Sequence, residues 1–431
     1  MIGTTIEWYD FFLYGAASAL IFNKLFFPTY DPQTGTFASF VTFGVGFVAR
    51  PIGGIVCGHF GDRKGRKSML IFTLLLMGIA TTLIGLLPTY EQIGIWAPIL
   101  LVALRLVQGF AAGGEWGGAV LMAVEHSPKR NRGFYGSWPQ TGVPAGLLLS
   151  TGAFWLVSKL PEAALFTWGW RLCFLLSILL VAVGIFIRLA VMEPAMFLEV
   201  KQTGGQSRMP IIDAVRSHPR GVLLAMGARL AENAAFYLFT VFVLSYATLP
   251  AIGFPRQSVL MAVSIAAAIE LGAIPAFGAL SDRFGRRPVY LFGAVFLGLF
   301  AFPFFWLIET SKTPLMVLSI VLAIVLGHAA MYAPQASFFS ELFGTRTRYS
   351  GASLGYQLSS VIAGGLSPLI AQYLLQRTGS SWPISVLIIG FAIITTISVW
   401  LASETAHVDM RGDPEVDFAR GEKASAQPAQ S

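Results

Sequence analysis

Apolar runs of about 20 residues alternate along almost the whole chain with shorter polar links. At a rise of about 1.5 Å per residue, a helix of about 20 residues spans a hydrocarbon layer of about 30 Å. The pattern therefore predicts an all-α membrane protein with twelve transmembrane helices. The predicted spans cover residues 2–24, 37–58, 68–88, 96–122, 133–157, 168–191, 220–247, 258–280, 288–308, 314–340, 350–374 and 382–402.

The links differ in their content of Lys and Arg, which predicts the orientation of the chain. The even-numbered links contain sixteen of these residues, whereas the odd-numbered links and their edges contain six. Cytoplasmic links of membrane proteins are enriched in Lys and Arg. We therefore expect a multi-pass protein of the cell inner (plasma) membrane with both termini in the cytoplasm. The first run starts abruptly at Met1, and we expect a short cytoplasmic leader before it.

Composition excludes several classes of protein. Apolar residues make up 55% of the chain and charged residues 12%, against about 25% charged in an average soluble domain. The net charge of +7 does not indicate nucleic-acid binding, because the basic residues lie in the links rather than on one surface. Cys57 and Cys173 lie singly in apolar runs without metal-ligand spacing. We expect no metal and no cofactor.

One long polar link, residues 192–219, follows the sixth span and divides the chain. The predicted domains are an N-terminal six-helix bundle (1–191) and a C-terminal six-helix bundle (220–402). Residues 403–431 have no apolar periodicity, which predicts a disordered cytoplasmic tail.

The two halves share a repeated link, GHFGDRKGRK at 58–67 and GALSDRFGRR at 278–287. Five positions are identical at an offset of 220 residues: Gly58, Asp62, Arg63, Gly65 and Arg66 correspond to Gly278, Asp282, Arg283, Gly285 and Arg286. The link two spans later repeats as well, with Glu125, Arg130 and Arg132 spaced like Glu341, Arg346 and Arg348. Such repeats predict two parallel, pseudo-symmetric bundles.

The repeated links have the chemistry of a contact that forms and breaks. Glycine allows close helix approach and tight turns, and an aspartate accepts hydrogen bonds from arginine side chains and helix N-termini. The alternative is an ordinary positively charged loop. We predict a cytoplasmic gate made of Gly58, Asp62, Arg63, Gly65, Arg66, Glu125, Arg132, Asp282, Arg283, Arg286, Glu341 and Arg346.

The repeated link resembles the cytoplasmic signature of the major facilitator superfamily. The stretches EWYDFFLYG (7–15), RLVQGFAAGGEWGGA (105–119) and WGWRLCFLLS (168–177) resemble its metabolite:proton symporter branch. Members of that branch carry shikimate, 2-oxoglutarate, citrate, other organic acids, or proline and betaine. The resemblance implies a carrier of two six-helix bundles driven by the proton gradient. The osmosensing members end in a coiled coil, which this tail lacks, so an osmosensor role is not expected.

Away from the links, eight charged residues lie inside the predicted spans, where a charge costs about 2.5–3.5 kcal/mol at the bilayer centre. We therefore expect them to face a cavity between the halves, water or one another. Spacings of three and four residues place them with polar neighbours on helix faces. These stripes are Glu7, Asp10 and Tyr14; Arg105, Gln108 and Glu115; and Arg229, Glu232, Asn233 and Tyr237.

Arg50 and Glu270 are the two remaining charges of the eight. They are equivalent at the 220-residue offset, and each lies 12 residues from its half's link aspartate, about 18 Å along a helix. Three arginines thus face five carboxyl groups, and unbalanced buried carboxyls favour protonation. The predicted proton-coupling residues are Asp10, Glu115, Glu232, Glu270 and Glu7.

An organic anion is predicted to bind the three arginines, because a guanidinium grips a carboxylate with two hydrogen bonds. Local pairing that only holds helices together is the alternative for each group, and for His328 a neutral ring bonded to a neighbouring helix. The predicted substrate-binding residues are Arg50, Arg105, Arg229, Tyr14, Gln108, Asn233, Tyr237, Gln140, His328 and Gln357.

The predicted function is proton-coupled symport of a small organic acid by alternating access. The expected partners are an organic anion, protons and the lipid bilayer, with no nucleic acid, and the protein is expected to be a monomer. A carrier of a zwitterionic or neutral metabolite is the alternative, with structural arginines. A transport-derived sensor would need a signalling domain, and a membrane enzyme would need a metal cluster or a nucleophile and base at suitable spacing.

Overall fold

The structure is a computed structural model that describes residues 2–64, 66–125, 127–190, 219–343 and 348–406. Within these residues all regular secondary structure is helical, and twelve long segments match the twelve predicted spans. Short helical segments lie between them at Phe22–Leu25, Tyr90–Ile93, Lys129–Asn131, Glu162–Ala164 and Leu165–Gly169. The first six long segments are α1 (Ile2–Leu20), α2 (Pro32–Lys64), α3 (Arg66–Leu86), α4 (Trp96–Gly113 and Trp116–Glu125), α5 (Arg132–Gln140 and Gly142–Val157) and α6 (Trp170–Ala190).

The second half repeats this arrangement. Its helices are α7 (Pro219–Tyr237, continued by Leu238–Phe242 and Val243–Ala247), α8 (Arg256–Phe284), α9 (Arg286–Glu309), α10 (Thr313–Leu322, continued by Ala323–His328 and Ala329–Glu341), α11 (Arg348–Ser359, continued by Ser360–Gly365 and Leu366–Thr378) and α12 (Trp382–Leu401). The predicted link 192–219 lies outside the described residues except for Pro219.

Ten of the described helices are long and apolar enough to cross a membrane. The two predicted spans that do not reach these limits are α1 and α5. In α1, Glu7 and Asp10 lower the mean hydropathy, and α5 is divided at Thr141 into parts of 9 and 16 residues. Both are helical and pack inside the first half, where α1 contacts α5 and α6.

Three helices of the second half contain a π-helical turn, at Leu238–Phe242, Ala323–His328 and Ser360–Gly365. Each turn widens an otherwise regular helix and changes the direction of the side chains on either side of it. Such turns occur frequently at functional sites. Apolar periodicity does not reveal them, because one extra residue per turn hardly changes the pattern.

The halves meet along two long seams, α8 with both parts of α5, and α2 with α11. Between the seams, aromatic side chains of both halves pack edge to face: Phe11 and Phe47 contact each other at 5.0 Å between ring centroids, and Tyr237 contacts Phe47 at 5.1 Å. This packing closes the centre of the molecule.

Two glycines permit the closest approach of α5 and α8. A Cβ at Gly278 would lie 2.7 Å from the carbonyl oxygen of Gly133, and a Cβ at Gly133 would lie 2.5 Å from the carbonyl oxygen of Gly278. Backbone atoms cannot move aside as a flexible side chain can, so these positions set how closely the halves approach. The predicted role of Gly278 in close helix packing is therefore seen between the halves.

Gly278→Ala should destabilise the closed arrangement by about 1–3 kcal/mol, because the added methyl group overpacks a backbone contact. Gly272→Ala on the same helix is the matched control, since a Cβ there meets nothing within 4 Å. Thermal unfolding of the purified variants measures the difference. Equal melting temperatures for both variants would contradict the assigned contact.

Candidate functional site

All eight charged residues predicted within the spans are buried, with exposed fractions of 0% to 6%. They therefore avoid lipid, as expected, and lie inside or between the two bundles. Their surroundings differ sharply between the halves. The first half holds two arginines among aromatic rings, whereas the second half holds a connected network of ions and amides.

Arg105 of α4 lies in a cage of aromatic rings in the first half. Its guanidinium carbon is 4.1 Å from the ring centroid of Phe11 and 4.2 Å from that of Tyr14. Its Nη1 donates to Oε1 of Gln108 at 3.0 Å, while Nη2 has no hydrogen-bond partner. Gly46 of α2 makes room for it, because a Cβ there would lie 2.5 Å from Nε of Arg105.

Arg50 of α2 is held in a similar way, nearer the predicted cytoplasmic end. Its guanidinium lies over the rings of Phe11 (4.2 Å) and Phe47 (4.6 Å), and its Nε has no hydrogen-bond partner. Among the described residues, no ion pair joins Arg50 or Arg105 to a carboxylate. Both cations are stabilised by ring faces rather than by opposite charge.

A small cavity of about 10 Å³ adjoins Arg50, about the room that one water molecule needs. It is lined by side chains of both halves: Thr4, Glu7, Trp8, Arg50, Ala112, Trp116, Ala119, Val120, Pro139, Gln140 and Tyr356. Its size indicates a closed state, in which a small metabolite requires the halves to separate.

The acidic residues of the first half do not form one cluster. Asp10 accepts a hydrogen bond from Ser177 of α6, inside the first bundle, and its Oδ2 has no partner. Glu7 borders the cavity.

Glu115 lies where α4 is interrupted after Gly113, so the predicted continuous stripe from Gln108 to Glu115 is broken. Tyr14 donates to Thr42 Oγ1 at 2.8 Å.

In the second half, Arg229 of α7 is balanced by neighbours. It lies 3.3 Å from Oε2 of Glu232, one turn away, and donates to Oε1 of Gln335 at 2.7 Å. With its amide oxygen turned toward the guanidinium, Asn233 accepts from Nε and Nη2 at 3.2 and 3.3 Å. The ring of Tyr356 covers the guanidinium at 3.1 Å. The predicted pairing along α7 is present.

His328 joins two acidic residues that sequence spacing did not connect to it. Its Nε2 is 3.0 Å from Oε1 of Glu232, and its Nδ1 contacts Oε1 of Glu270. Gln335 donates to Oε2 of Glu232 at 3.1 Å, while Oε2 of Glu270 has no partner. A neutral imidazole has one N–H donor, so contacts with two carboxylates require a further proton on the ring or on an acid.

The centre is crossed by contacts that join the halves. Trp116 of α4 stacks on Tyr356 of α11 at 3.7 Å and donates through Nε1 to Gln140 at 3.2 Å. Gln140 donates to the carbonyl oxygen of Tyr332, and Gln357 to that of Gly113. Two of the predicted substrate-orienting amides thus serve as inter-half hydrogen bonds in this state. Tyr237 is buried, and its hydroxyl group has no partner.

Sequence reasoning missed Trp116 and Ser177 as members of this site. Both occupy apolar spans, and nothing in their spacing separates them from packing residues. A tryptophan or serine inside a span usually packs against another helix or bonds to its own backbone. Only the contact across the bundle gives each of these residues its role.

At the predicted cytoplasmic end, Asp282 joins the halves. Its Oδ1 accepts from the backbone N–H of Gly133 at 2.7 Å and its Oδ2 from that of Phe134 at 2.8 Å, at the N-terminus of α5. Arg286 donates to Asp282 at 2.7 Å and to Glu341 at 3.3 Å. We call the contact between Asp282 and the α5 N-terminus the latch.

The remaining predicted gate residues lie in other surroundings or outside the described part of the structure. Arg283, also predicted to belong to the gate, is exposed, and its guanidinium lies over the ring of Phe284 at 5.4 Å. Arg132 is buried beside the latch. The side chains of the other predicted members lie outside the described part of the structure: Asp62, Arg63, Arg66, Glu125 and Arg346, together with residues Gly58 and Gly65.

Comparison with protein families gives a match to the Major Facilitator Superfamily over residues 1–364 and 252–424. The shikimate transporter of Escherichia coli (strain K12) is 43% identical over 94% of this chain and 93% of its own. The inner membrane metabolite transport protein YhjE of the same strain is 39% identical, with the same coverage. Its proline/betaine transporter is 34% identical over 95% of this chain and 83% of its own.

Among solved structures, the proton:xylose symporter XylE bound to 6-bromo-6-deoxy-D-glucose superimposes with a TM-score of 0.72 over 96% of this chain and 98% of its own. The sequences are 16% identical. At this level of identity the likeness concerns the fold, and it supports the arrangement of two six-helix bundles described above.

Glu232→Ala should lower the stability of the protein by about 3–5 kcal/mol, because it leaves Arg229 buried without its carboxylate. Glu232→Gln, which can still bond to Gln335 and His328, should lose clearly less. Thermal unfolding in detergent, together with fluorescence size-exclusion profiles, measures both variants. Unchanged stability in both variants, each of which removes the carboxylate, would refute the structural weight given to this ion pair.

Proposed function

Because the chain belongs to the Major Facilitator Superfamily, we propose that it is a secondary active transporter that carries a small organic anion together with protons. The halves alternately expose a site between Arg50, Arg105 and the α7–α10 network. The main support for this proposal is the distribution of charge. Among the described residues, the first half holds two guanidinium groups without an ionic partner, and the second half holds a carboxylate–imidazole–carboxylate group.

The anion is assigned to the arginines of the first half. A buried cation without an ionic partner costs several kcal/mol, and ring faces return only part of this. Nε of Arg50 and Nη2 of Arg105 both lack hydrogen-bond acceptors. A carboxylate entering between the halves supplies the missing charge and accepts hydrogen bonds from the guanidinium. Arg229, already balanced by Glu232 and Gln335, positions the network rather than gripping the substrate.

The proton is assigned to two places. When the histidine is neutral and both acids are ionised, a single N–H proton must serve the two contacts that His328 makes with Glu232 and Glu270. Asp10, fully buried with one oxygen unpartnered, is equally unsuited to carry a charge. An incoming anion adds negative charge, which a proton bound by either group balances. Proton and anion therefore cross together, because neither charge is balanced when the halves close around the other alone.

The organic acid named for the shikimate transporter fits this charge pattern. A carboxylate on a hydroxylated ring matches guanidiniums among aromatic walls, with Gln140 and Gln357 as amide partners once the halves separate. A dicarboxylate fits the two arginines as well. The substrate class proposed is therefore a small carboxylate.

A zwitterion such as proline or betaine is the second candidate. The proline/betaine transporter is among the relatives, and the rings of Trp8, Trp116 and Tyr356 beside the cavity suit a quaternary ammonium group. Two unbalanced guanidiniums, however, favour a solute with net negative charge. The alternatives separate in a competition assay that contains both kinds of solute.

The positively charged links support placement in the inner membrane with both termini in the cytoplasm. A monomer accounts for the site, since every described residue assigned to the substrate or the proton belongs to one chain. A family of transporters argues against the sensor and enzyme alternatives.

Arg50→Gln and Arg105→Gln should each lower the uptake of the transported carboxylate about 10–100-fold, because a charged hydrogen bond contributes about 1.5–3 kcal/mol. Uptake by proteoliposomes is measured with labelled shikimate, 2-oxoglutarate, citrate, malate, proline and betaine. Arg171→Gln is the control, since that arginine caps Gly85 and Leu87 far from the site. Full carboxylate uptake by both site variants would exclude the arginines as the anion site.

Glu270→Gln and Asp10→Asn test the proton assignment separately. Each should abolish concentrative uptake while retaining at least part of the exchange of external for internal substrate, since exchange needs no net proton transfer. The measurement compares uptake with a pH gradient, uptake after addition of an uncoupler, and counterflow. If a variant still concentrates substrate in response to the pH gradient, the substituted residue takes no part in proton coupling.

A further inference from the structure

The chain remains in contact with the second bundle after α12 ends. Ala402 is extended, and the side chains of Thr405 and Ala406 are buried against the second bundle. The sequence predicted a disordered tail from residue 403, and the structure instead buries Thr405 and Ala406 and leaves Ser403 and Glu404 exposed beside the bundle. Residues 407–431 lie outside the described residues. The apolar pattern could not reveal this docking, because it rests on polar contacts.

Glu404 caps the N-terminus of α9. Its Oε1 accepts from the backbone N–H of Arg286 at 2.8 Å, and its Oε2 accepts from that of Arg287 at 3.0 Å. The first N–H groups of a helix lack partners within it, and a carboxylate there also meets the positive end of the helix dipole. Gly285, with φ of 98°, leaves room, since a Cβ there would lie 2.6 Å from Oε2 of Glu404.

Thr405 binds Glu341, the carboxylate partner of the Arg286 side chain. Its hydroxyl group donates to Oε2 of Glu341 at 2.7 Å, the same oxygen that accepts from Nε of Arg286 at 3.3 Å. The tail therefore contacts Arg286 twice, through its backbone by Glu404 and through its carboxylate partner by Thr405. Both contacts join segments more than 60 residues apart in the chain.

Arg286 connects these contacts of the tail to the latch through its own hydrogen bonds. Its Nη1 donates to Oδ1 of Asp282 at 2.7 Å and to Oγ of Ser281 at 2.8 Å. The carboxylate so held accepts both N–H groups at the start of α5, in the other half. A continuous series of hydrogen bonds thus runs from Thr405 through Glu341, Arg286 and Asp282 to the first bundle.

We propose that Glu404 and Thr405 are positioning residues of the latch, a role that deepens and rests on the alternating-access transport proposed above. When the halves part at this end, the bonds from Asp282 to α5 must break, whereas every bond of the tail lies within the second half and persists. The tail holds Arg286 and Glu341 in place so that Asp282 is oriented for closure. Loss of these contacts shifts the population toward the state open at the predicted cytoplasmic end.

The test measures opening by alkylation of a cysteine buried between the halves, without substrate. Ala336→Cys places the thiol on α10 facing Gly136 of α5, where there is room for it, in a chain with Cys57→Ala and Cys173→Ala. Thr405→Val should raise its alkylation rate about tenfold, the size expected for losing a hydrogen bond to a charged group. Thr405→Ser, which keeps the hydroxyl group, should restore the original rate.

Two truncations separate the docked segment from the rest of the tail. A chain that ends at Ala406 should behave like the full chain, and one that ends at Ser403 should open at least as much as Thr405→Val. Glu404→Gln should give an intermediate rate. Unchanged alkylation in Thr405→Val and in the chain ending at Ser403 would overturn the proposal, as would equal opening of both truncated chains.

A second thiol distinguishes opening from unfolding. Ser158→Cys lies at the opposite end, where Gln257 donates to the carbonyl oxygen of residue 158. Its alkylation should stay constant or fall in Thr405→Val if that end stays closed, and a rise at both ends would assign the effect to unfolding and reject the positioning role. Because no substrate is present, a failure of the proposed anion or proton assignment leaves this result unaffected.

Discussion

The energetic cost of a charge in a medium of low dielectric constant governs the arrangement of this protein. A buried ion loses its hydration and recovers it only through opposite charge, hydrogen bonds or the faces of aromatic rings. The structure uses all three means, but unequally. Arg229 has a carboxylate, two amides and a ring, whereas Arg105 has rings, one amide and one weak carbonyl contact. This inequality gives the two halves different chemistry despite the pattern that their sequences share.

The same constraint explains why the contacts between the halves differ along their length. At the centre, Phe11, Phe47 and Tyr237 pack as in a protein core. At the predicted cytoplasmic end the closure is polar, because the carboxylate of Asp282 accepts hydrogen bonds from backbone N–H groups. Carboxylate and amide groups are well solvated when they separate, so such a contact breaks at modest cost. An equally large apolar contact would expose its surface to water on each opening.

Much of the architecture followed from the pattern of the sequence. The apolar runs located all twelve helices, and the repeat at an offset of 220 residues identified Asp282 and Arg286 before their contacts were known. The spacing of Arg229 and Glu232 predicted their ion pair, because residues three apart meet on one helix face. Other features depart from what the pattern suggested. Arg283 is exposed, α4 is interrupted before Glu115, and Thr405 is docked although its segment contains only small and polar residues.

The sequence by itself determined the number of helices, the two halves and which charges avoid lipid, because these follow from chain length, local periodicity and the cost of burying ions. Only the tertiary structure decided which charges on different helices meet. His328, Glu232 and Glu270 come from three helices, and the hydrogen bonds of Thr405 and Asp282 join distant segments. Such contacts depend on helix rotation and on the π-helical turns that change it, and neither leaves a regular signal in the order of residues along the chain.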